Sequence, residues 1–231
     1  MVALVRILAV KFIRSTKKII PKQPNGKSIV YMHAYGGRLW HAARHLKALR
    51  NHGYTIYALD FTDILRTHNP QELIDLMDEV AVYLEKEQLI HKNTIMVGVS
   101  LGGLVGFNMT KRYQILDKLL VVTGGDITHL LTARSLRNKW KLTRQELTER
   151  WQDVNMYTPP GTVRDKHIIM LLPRRDKVID PNEVMDEITK LDQHNNVTLV
   201  SVPGGHLRTI ITQTVLFPKK SLPHIRHLEQ F

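Results

Sequence analysis

The chain has no cysteine among its 231 residues. Without thiols there can be no disulfide, no thiolate nucleophile and no zinc–thiolate site. Any nucleophile must therefore be a serine, threonine, aspartate, glutamate or lysine side chain. A hydrophobic content of 43% and a charged content of 23% exclude disordered and fibrous classes. The length suits a single domain spanning 1–231. A chain without cysteine is compatible with a reducing cytosol without demonstrating it, and we expect a cytoplasmic protein, with peripheral association with a membrane as the alternative.

A long uninterrupted apolar run is also missing. Residues 1–20 are largely apolar, but Arg6, Lys11 and Arg14 interrupt them, whereas a membrane-spanning helix needs about 20 consecutive apolar residues. A signal peptide fits poorly, because the basic residues follow the apolar stretch and no small-residue cleavage site closes it. Two interpretations stay open. The favoured one is a helix or strand that docks on the domain with a basic outer side, and the other is an interfacial anchor on anionic lipid.

Acidic residues are scarce at the front of the chain. Lysine and arginine number 33 against 21 acids, a net charge of +12. Seven of these cations lie in the basic N-terminal segment 1–27, which has no acid. The body is only mildly basic, and it lacks zinc-finger spacing, basic-region heptads and a cationic stripe interleaved with aromatic residues. We therefore expect no nucleic-acid partner.

Short apolar runs alternate with helical patterns along the rest of the chain. Strands are predicted at 28–33, 54–59, 94–99, 118–123, 166–172 and 197–202. Helices are predicted at 39–51, 70–88, 101–112, 181–193 and 206–214. This alternation predicts an α/β fold, with a mostly parallel sheet of about six strands and helices on both faces. No clear period is found in 218–231.

The most informative motif joins the third predicted strand to its helix. Residues 98–103 read Gly-Val-Ser-Leu-Gly-Gly, with Ser100 as the serine of a Gly-x-Ser-x-Gly pattern. After a strand and before a helix this pattern is typical of a nucleophile elbow, in which glycines allow the serine a strained turn. The helix N-terminus beside it would stabilise developing negative charge. Ser100 is therefore the candidate nucleophile.

A serine hydroxyl needs a base to take its proton and an acid to orient that base. Asp176 and His206 each follow a predicted strand. Because parallel strands end at the same edge of a sheet, both can meet Ser100 there. Asp180 is an alternative acid, but it is placed to cap the following helix, and we favour Asp176.

These features together resemble the α/β-hydrolase family. The resemblance rests on the Gly-Val-Ser-Leu-Gly-Gly elbow, the order Ser, Asp, His on successive strand ends, the Asp-x-x-x-x-Pro turn at 176–181 and the Gly-Gly-His turn at 204–206, and it covers approximately 28–215. It implies an oxyanion hole built from the main-chain N–H groups of Tyr35 and Leu101. Ala34 stands where the family usually has glycine, and His33 is expected to stabilise this loop from beneath.

The resemblance also implies a small helical cap at 126–165, with helices over 128–139 and 143–154. Five of its residues could line an acyl pocket: His129, Leu130, Trp140, Trp151 and Tyr157. The alternative for the two tryptophans is that they pack the cap on the body. The family usually opens with a two-stranded hairpin, for which 27 residues leave little room, so 1–20 are expected to form a helix or one added strand.

The implied activity is hydrolysis of a small-molecule carboxylic ester through an acyl-enzyme, most commonly on small to medium acyl groups. Alternatives are an acylglycerol or lysophospholipid lipase, an acyltransferase and a non-catalytic ligand-binding member of the fold. We expect no cofactor and no metal ion. His41 and His45 lie one helical turn apart, but Ala42 occupies the position where a zincin needs glutamate and no third ligand is evident.

Overall fold

The computed structural model describes residues 11–61, 69–128, 140–155 and 163–231. Its centre is a seven-stranded sheet in the order β1-β3-β2-β4-β5-β6-β7. The first strand pairs antiparallel with β3, and all other neighbours are parallel. The strands are β1 (Ile13–Ile19), β2 (Ser28–Met32), β3 (Thr55–Phe61), β4 (Thr94–Val99), β5 (Lys118–Val122), β6 (His167–Pro173) and β7 (Asn196–Val202).

Helices cover both faces of the sheet, as the alternation of strands and helices predicts. Within the described residues the α-helices are α1 (Ala43–Asn51), α2 (Gln71–Lys86), α3 (Leu101–Arg112), α4 (Arg144–Trp151), α5 (Pro181–Asp192), α6 (His206–Ile210) and α7 (Leu222–Leu228). Helices α2, α3, α4 and α5 share one hydrophobic core with the sheet. Helices α1 and α7 share a second core on the opposite face.

The strand β1 makes the sheet one strand larger than the sequence predicts. Residues 11–20 take the single-strand alternative, because the outer edge of β3 offers an unpaired row of backbone groups. The carboxylate of Glu79 on α2 fixes the start of this strand, accepting the backbone N–H groups of Lys11 (2.7 Å), Phe12 (3.0 Å) and Ile13 (2.8 Å). Phe12 and Ile13 are buried, so this part of the N-terminal segment docks on the domain.

The C-terminal segment is ordered, although its sequence shows no clear period. A 3-10 helix at Pro218–Ser221 leads into α7, which buries Leu222, Ile225 and Leu228 on one side. Only three apolar positions over seven residues carry this pattern, too few for sequence reasoning to detect.

The described residues contain no helix that is both long enough and apolar enough to cross a membrane.

Candidate active site

Ser100 occupies the sharp turn between β4 and α3. Its backbone has φ +51° and ψ −114°, a left-handed conformation that is strained for a residue with a side chain. The N–H of Ser100 donates to the carbonyl of Val122 at 3.0 Å, which fixes the turn on the neighbouring strand. The turn requires glycine at 102, because a Cβ there would collide with the carbonyl of Met32. The elbow that the sequence predicts is therefore present.

His206 begins α6 and faces Ser100. Its Nε2 lies 2.9 Å from the Oγ of Ser100, and its Nδ1 lies 2.8 Å from Oδ2 of Asp176. The side chain of Asp176 is 0% exposed and that of His206 is 10% exposed. The three residues thus form a continuous hydrogen-bonded chain at the carboxyl end of the sheet, despite separations of 30 and 76 positions in the sequence.

The carboxylate of Asp176 is held as an acceptor. Its Oδ1 accepts the backbone N–H groups of Val178 (2.8 Å) and Ile179 (3.0 Å). Burial acts to raise the pKa of Asp176, but the hydrogen bond and charge of His206 and these two amides outweigh it, so the pKa lies below its ordinary value. Because the ionised carboxylate can only accept, Nδ1 of His206 carries the proton. Nε2 is then free to take the proton of Ser100.

Thr123 is a fourth member of this cluster that sequence reasoning missed. It directly follows β5, is fully buried and has φ +50°, which is rare for a β-branched residue. Its Oγ1 lies 2.7 Å from Nδ1 of His206 and donates to Oδ2 of Asp176 at 3.2 Å. The predicted strand 118–123 includes Thr123, and threonine is a common strand residue, so its type gives no functional signal in the sequence.

The two candidate acids have different positions. Asp176 contacts His206, whereas Asp180 is the N-cap of α5 and its Oδ1 accepts the N–H of Asn182 at 2.9 Å. The structure brings Asp176, and not Asp180, to the histidine.

The loop that should supply the oxyanion hole packs against the elbow. The Cβ that is missing from Gly102 would also meet the carbonyl of His33 at 2.8 Å, so the start of this loop touches the first turn of α3. Nδ1 of His33 lies 2.7 Å from the carbonyl of Ala34, and Nε2 accepts the N–H of Phe61 at 2.9 Å. Both contacts are to backbone groups, so His33 ties the loop to the end of β3, which also agrees with the alternative of a strand-end histidine satisfied by the backbone. Tyr35 and Leu101 stay the predicted oxyanion donors, on adjoining segments.

Two of the five predicted pocket residues, Trp140 and Trp151, lie in the described part of the chain. Trp140 and Trp151 stack with centroids 5.4 Å apart and planes 8° apart, and both are buried in the core beside α4. This placement agrees with the alternative that the two tryptophans pack the cap on the body of the domain. His129, Leu130 and Tyr157 lie outside the described residues. The second predicted cap helix corresponds to α4 and a following 3-10 turn, Gln152–Val154.

His45 has a structural environment rather than that of a metal ligand. It is fully buried, and its Nε2 lies 2.6 Å from the Oγ of Ser221 in the C-terminal segment. Burial lowers the pKa of His45 to about 4, so the imidazole is neutral near pH 7. Its neighbour His41 is exposed.

Solved structures with this fold include several hydrolases. The esterase Pf2001 of Pyrococcus furiosus is 19% identical, with a TM-score of 0.66 over 94% of this chain and 92% of that chain. The protein TT1662 of Thermus thermophilus is 14% identical, with a TM-score of 0.68 over 94% and 98%. A structure described with carboxylesterases of Nitrososphaera gargenis is 13% identical, with a TM-score of 0.64 over 95% and 99%. At these identities the similarity shows the fold alone.

Sequence comparison gives the family. No curated protein matches the chain. The model of the alpha/beta hydrolase family matches residues 29–186, which include Ser100 and Asp176. The chain therefore belongs to the alpha/beta hydrolase family.

Proposed function

We propose that the protein is a serine hydrolase that cleaves carboxylic esters through an acyl-enzyme intermediate. The observation that carries this proposal is the chain from Ser100 Oγ to His206 Nε2 (2.9 Å) and from His206 Nδ1 to Asp176 Oδ2 (2.8 Å). Nucleophile, base and orienting acid stand in the order and at the distances that acyl transfer requires. Membership of the alpha/beta hydrolase family supports the reaction class.

The first half of the reaction forms the acyl-enzyme. Oγ of Ser100 attacks the ester carbonyl carbon while Nε2 of His206 takes the hydroxyl proton. Asp176 stabilises the resulting imidazolium through Nδ1. The N–H groups of Tyr35 and Leu101 donate to the oxyanion, and each such donor accounts for roughly 10²–10³ in kcat in other hydrolases. His206 then returns the proton to the departing alcohol as the carbonyl re-forms.

The second half releases the acid. A water molecule gives its proton to Nε2 of His206 and attacks the acyl carbon, and the second tetrahedral intermediate is held by the same donors. Its collapse returns the proton to Oγ of Ser100 and frees the carboxylic acid. If an alcohol enters instead of water, the same steps give acyl transfer.

The test compares hydrolysis of p-nitrophenyl esters, from acetyl to palmitoyl, by the wild type and by Ser100→Ala. We expect loss of essentially all activity in the variant and an optimum on small to medium acyl chains. Ser15→Ala, on the exposed side of β1, is the matched control and should keep full activity. An optimum on long chains would instead identify a lipase.

A covalent probe tests the nucleophile without assuming a substrate. A fluorophosphonate should label the wild type at Ser100, as peptide mass spectrometry would show, and should not label Ser100→Ala. A folded wild type that neither reacts with the probe nor hydrolyses any ester of the series would contradict the proposal and favour a ligand-binding role.

A further inference from the structure

The net positive charge of this chain comes from two segments that contain no acidic residue. Residues 1–59 and 193–228 contain 15 of the 33 lysines and arginines and none of the 21 acids. The remaining residues carry 18 cations against 21 acids, so they are slightly acidic. The whole net charge of +12 therefore belongs to the two acid-free segments.

The fold brings parts of these segments together on one side of the sheet. Helix α1 comes from the first segment, and α6, the 3-10 helix Pro218–Ser221 and α7 come from the second. Residues of α1, the end of α6 and α7 pack on the same core, and the contact between His45 of α1 and Ser221 joins the two segments. We call the outer surface of these elements the cationic face. Its exposed cations are Arg208 on α6 and six others: Arg44, Lys47, Arg50, Lys219, Lys220 and Arg226.

These cations are not neutralised within the protein. Among the described residues none of the seven forms an ion pair, whereas on the other side of the sheet Arg112 is paired with Asp78 at 2.6 Å. Lys220 instead lies over the ring of Phe217, with Nζ 4.7 Å from the centroid. The face therefore presents a positive potential to solution.

Large apolar side chains are exposed beside these charges. In the helical segment that begins at His206, Leu207 is 67% exposed, Leu216 55% and Phe217 53%. Trp40, 72% exposed, lies on the 3-10 helix Leu39–Ala42, which contacts that segment. The apolar residues thus start next to the histidine of the site and extend along its helix. Exposed apolar side chains concentrated in this way mark an interaction surface.

We propose that the cationic face docks on an anionic lipid surface, with Trp40, Leu207 and Phe217 entering the headgroup region. Lysines and arginines supply attraction to acidic headgroups, and a rim of apolar side chains supplies interfacial burial. Exposed aromatic and aliphatic side chains beside cations suit a lipid interface, where apolar groups enter below the charged headgroups, better than the surface of a folded acidic protein. Docking in this orientation brings the helix of His206 to the membrane, where ester substrates reside. The docking does not depend on the proposed chemistry.

The tryptophans provide a direct probe. All three are described, and Trp140 and Trp151 are at most 7% exposed, so a change in emission on adding vesicles reports Trp40. The experiment uses Ser100→Ala, which cannot alter the lipid, with vesicles of pure phosphatidylcholine and of phosphatidylcholine with 30% phosphatidylserine. We expect sedimentation with the anionic vesicles only, a blue shift of emission, and weaker binding at higher salt.

Charge reversal locates the surface. Lys219→Glu with Lys220→Glu should weaken binding to anionic vesicles by at least about tenfold, given the attraction per cation near such a surface. Lys86→Glu with Lys190→Glu, at exposed positions of α2 and α5, is the matched control and should bind as the parent does. Phe217→Ser should reduce the blue shift without a change in charge. Circular dichroism checks that each variant is folded.

Several outcomes would overturn the proposal. These are equal binding to both vesicle types, no binding to anionic vesicles, or equal losses in the control pair. A loss caused by Ile7→Ser with Leu8→Ser, but not by the charge reversal, would assign binding to the N-terminal segment. Binding to polyuridine or polyglutamate but not to anionic vesicles would show that the face serves another polyanion.

Discussion

The two ends of the sheet both bury polar side chains, but they connect them in different ways. At the carboxyl end, Ser100, His206, Asp176 and Thr123 bond to one another through their side chains. At the amino end, Lys166 is fully buried and its Nζ donates to three backbone carbonyls, of Gln114 at 2.7 Å, Leu116 at 3.3 Å and Tyr113 at 3.4 Å.

The carboxyl end holds side chains that are suited to proton transfer, whereas the amino end holds a side chain that anchors a loop. Side chains bonded in series, ending at a hydroxyl on a strained turn, can pass a proton along the series. A lysine directed at backbone carbonyls only fixes a loop. Substitutions at the carboxyl end should therefore change the rate and leave stability nearly unchanged, and substitutions at the amino end should do the reverse.

Asp176→Asn should have the largest effect on rate. The amide can donate to Nδ1 of His206, which places the imidazole proton on Nε2 and removes the base for Ser100. We expect kcat on a p-nitrophenyl ester to fall by about 10⁴-fold. The melting temperature should stay close to that of the wild type, because the amide oxygen still accepts from Val178 and Ile179. A fall of less than tenfold would show that Asp176 is not the orienting acid.

Lys166→Met should be the largest change in stability. Three backbone carbonyls, of which that of Leu116 is buried, lose their donor, so the free energy of unfolding at pH 7 should fall by about 1–3 kcal/mol. Chemical denaturation measures the loss, and kcat should not change. Lys190→Met, at an exposed position on α5, is the control and should leave stability unaltered.

The same lysine gives a signed pH dependence. Burial lowers the pKa of Lys166 to about 8 from an ordinary value of 10.5. Between these values the unfolded chain binds the extra proton, so the wild type should gain stability over Lys166→Met as pH rises, by up to about 1.4 kcal/mol per pH unit. If the free energy of unfolding changed equally with pH in the two proteins between pH 8 and 10, the lowered pKa of Lys166 would be contradicted.

Thr123→Val should reduce the rate moderately. Valine is also β-branched, so the strain at φ +50° is retained and only the hydroxyl between His206 and Asp176 is lost. We expect kcat to fall by about tenfold, the size of one hydrogen bond to a charged group, with KM unchanged. Thr123→Ser keeps the hydroxyl and should retain most of the activity. Equal losses in both variants would mean that Thr123 acts only by packing.

Sequence reasoning found the parts of the site that follow a simple rule. Ser100, Asp176 and His206 stand at the ends of apolar strands, and parallel topology collects such positions at one edge. Thr123 obeys the same rule, but a threonine there is also a common strand residue, so its type carried no signal. The edge strand β1 depended on the unpaired edge of β3, and the packing of Trp140 on Trp151 depended on tertiary contacts, neither of which is visible in local periodicity.

Asp180→Ala should give the smallest effect, and it sharpens the contrast within a single loop. Asp180 lies four residues from Asp176, but its side chain caps α5 and does not contact His206. Loss of the cap should lower the free energy of unfolding by about 1 kcal/mol, and Asp180→Asn should restore it because asparagine caps equally well. Activity at 25 °C should match the wild type in both variants. A large loss of kcat in a folded Asp180→Ala would show that Asp180, and not Asp176, orients the histidine. The rule that a position at a strand end identifies the catalytic residue would then fail at this loop.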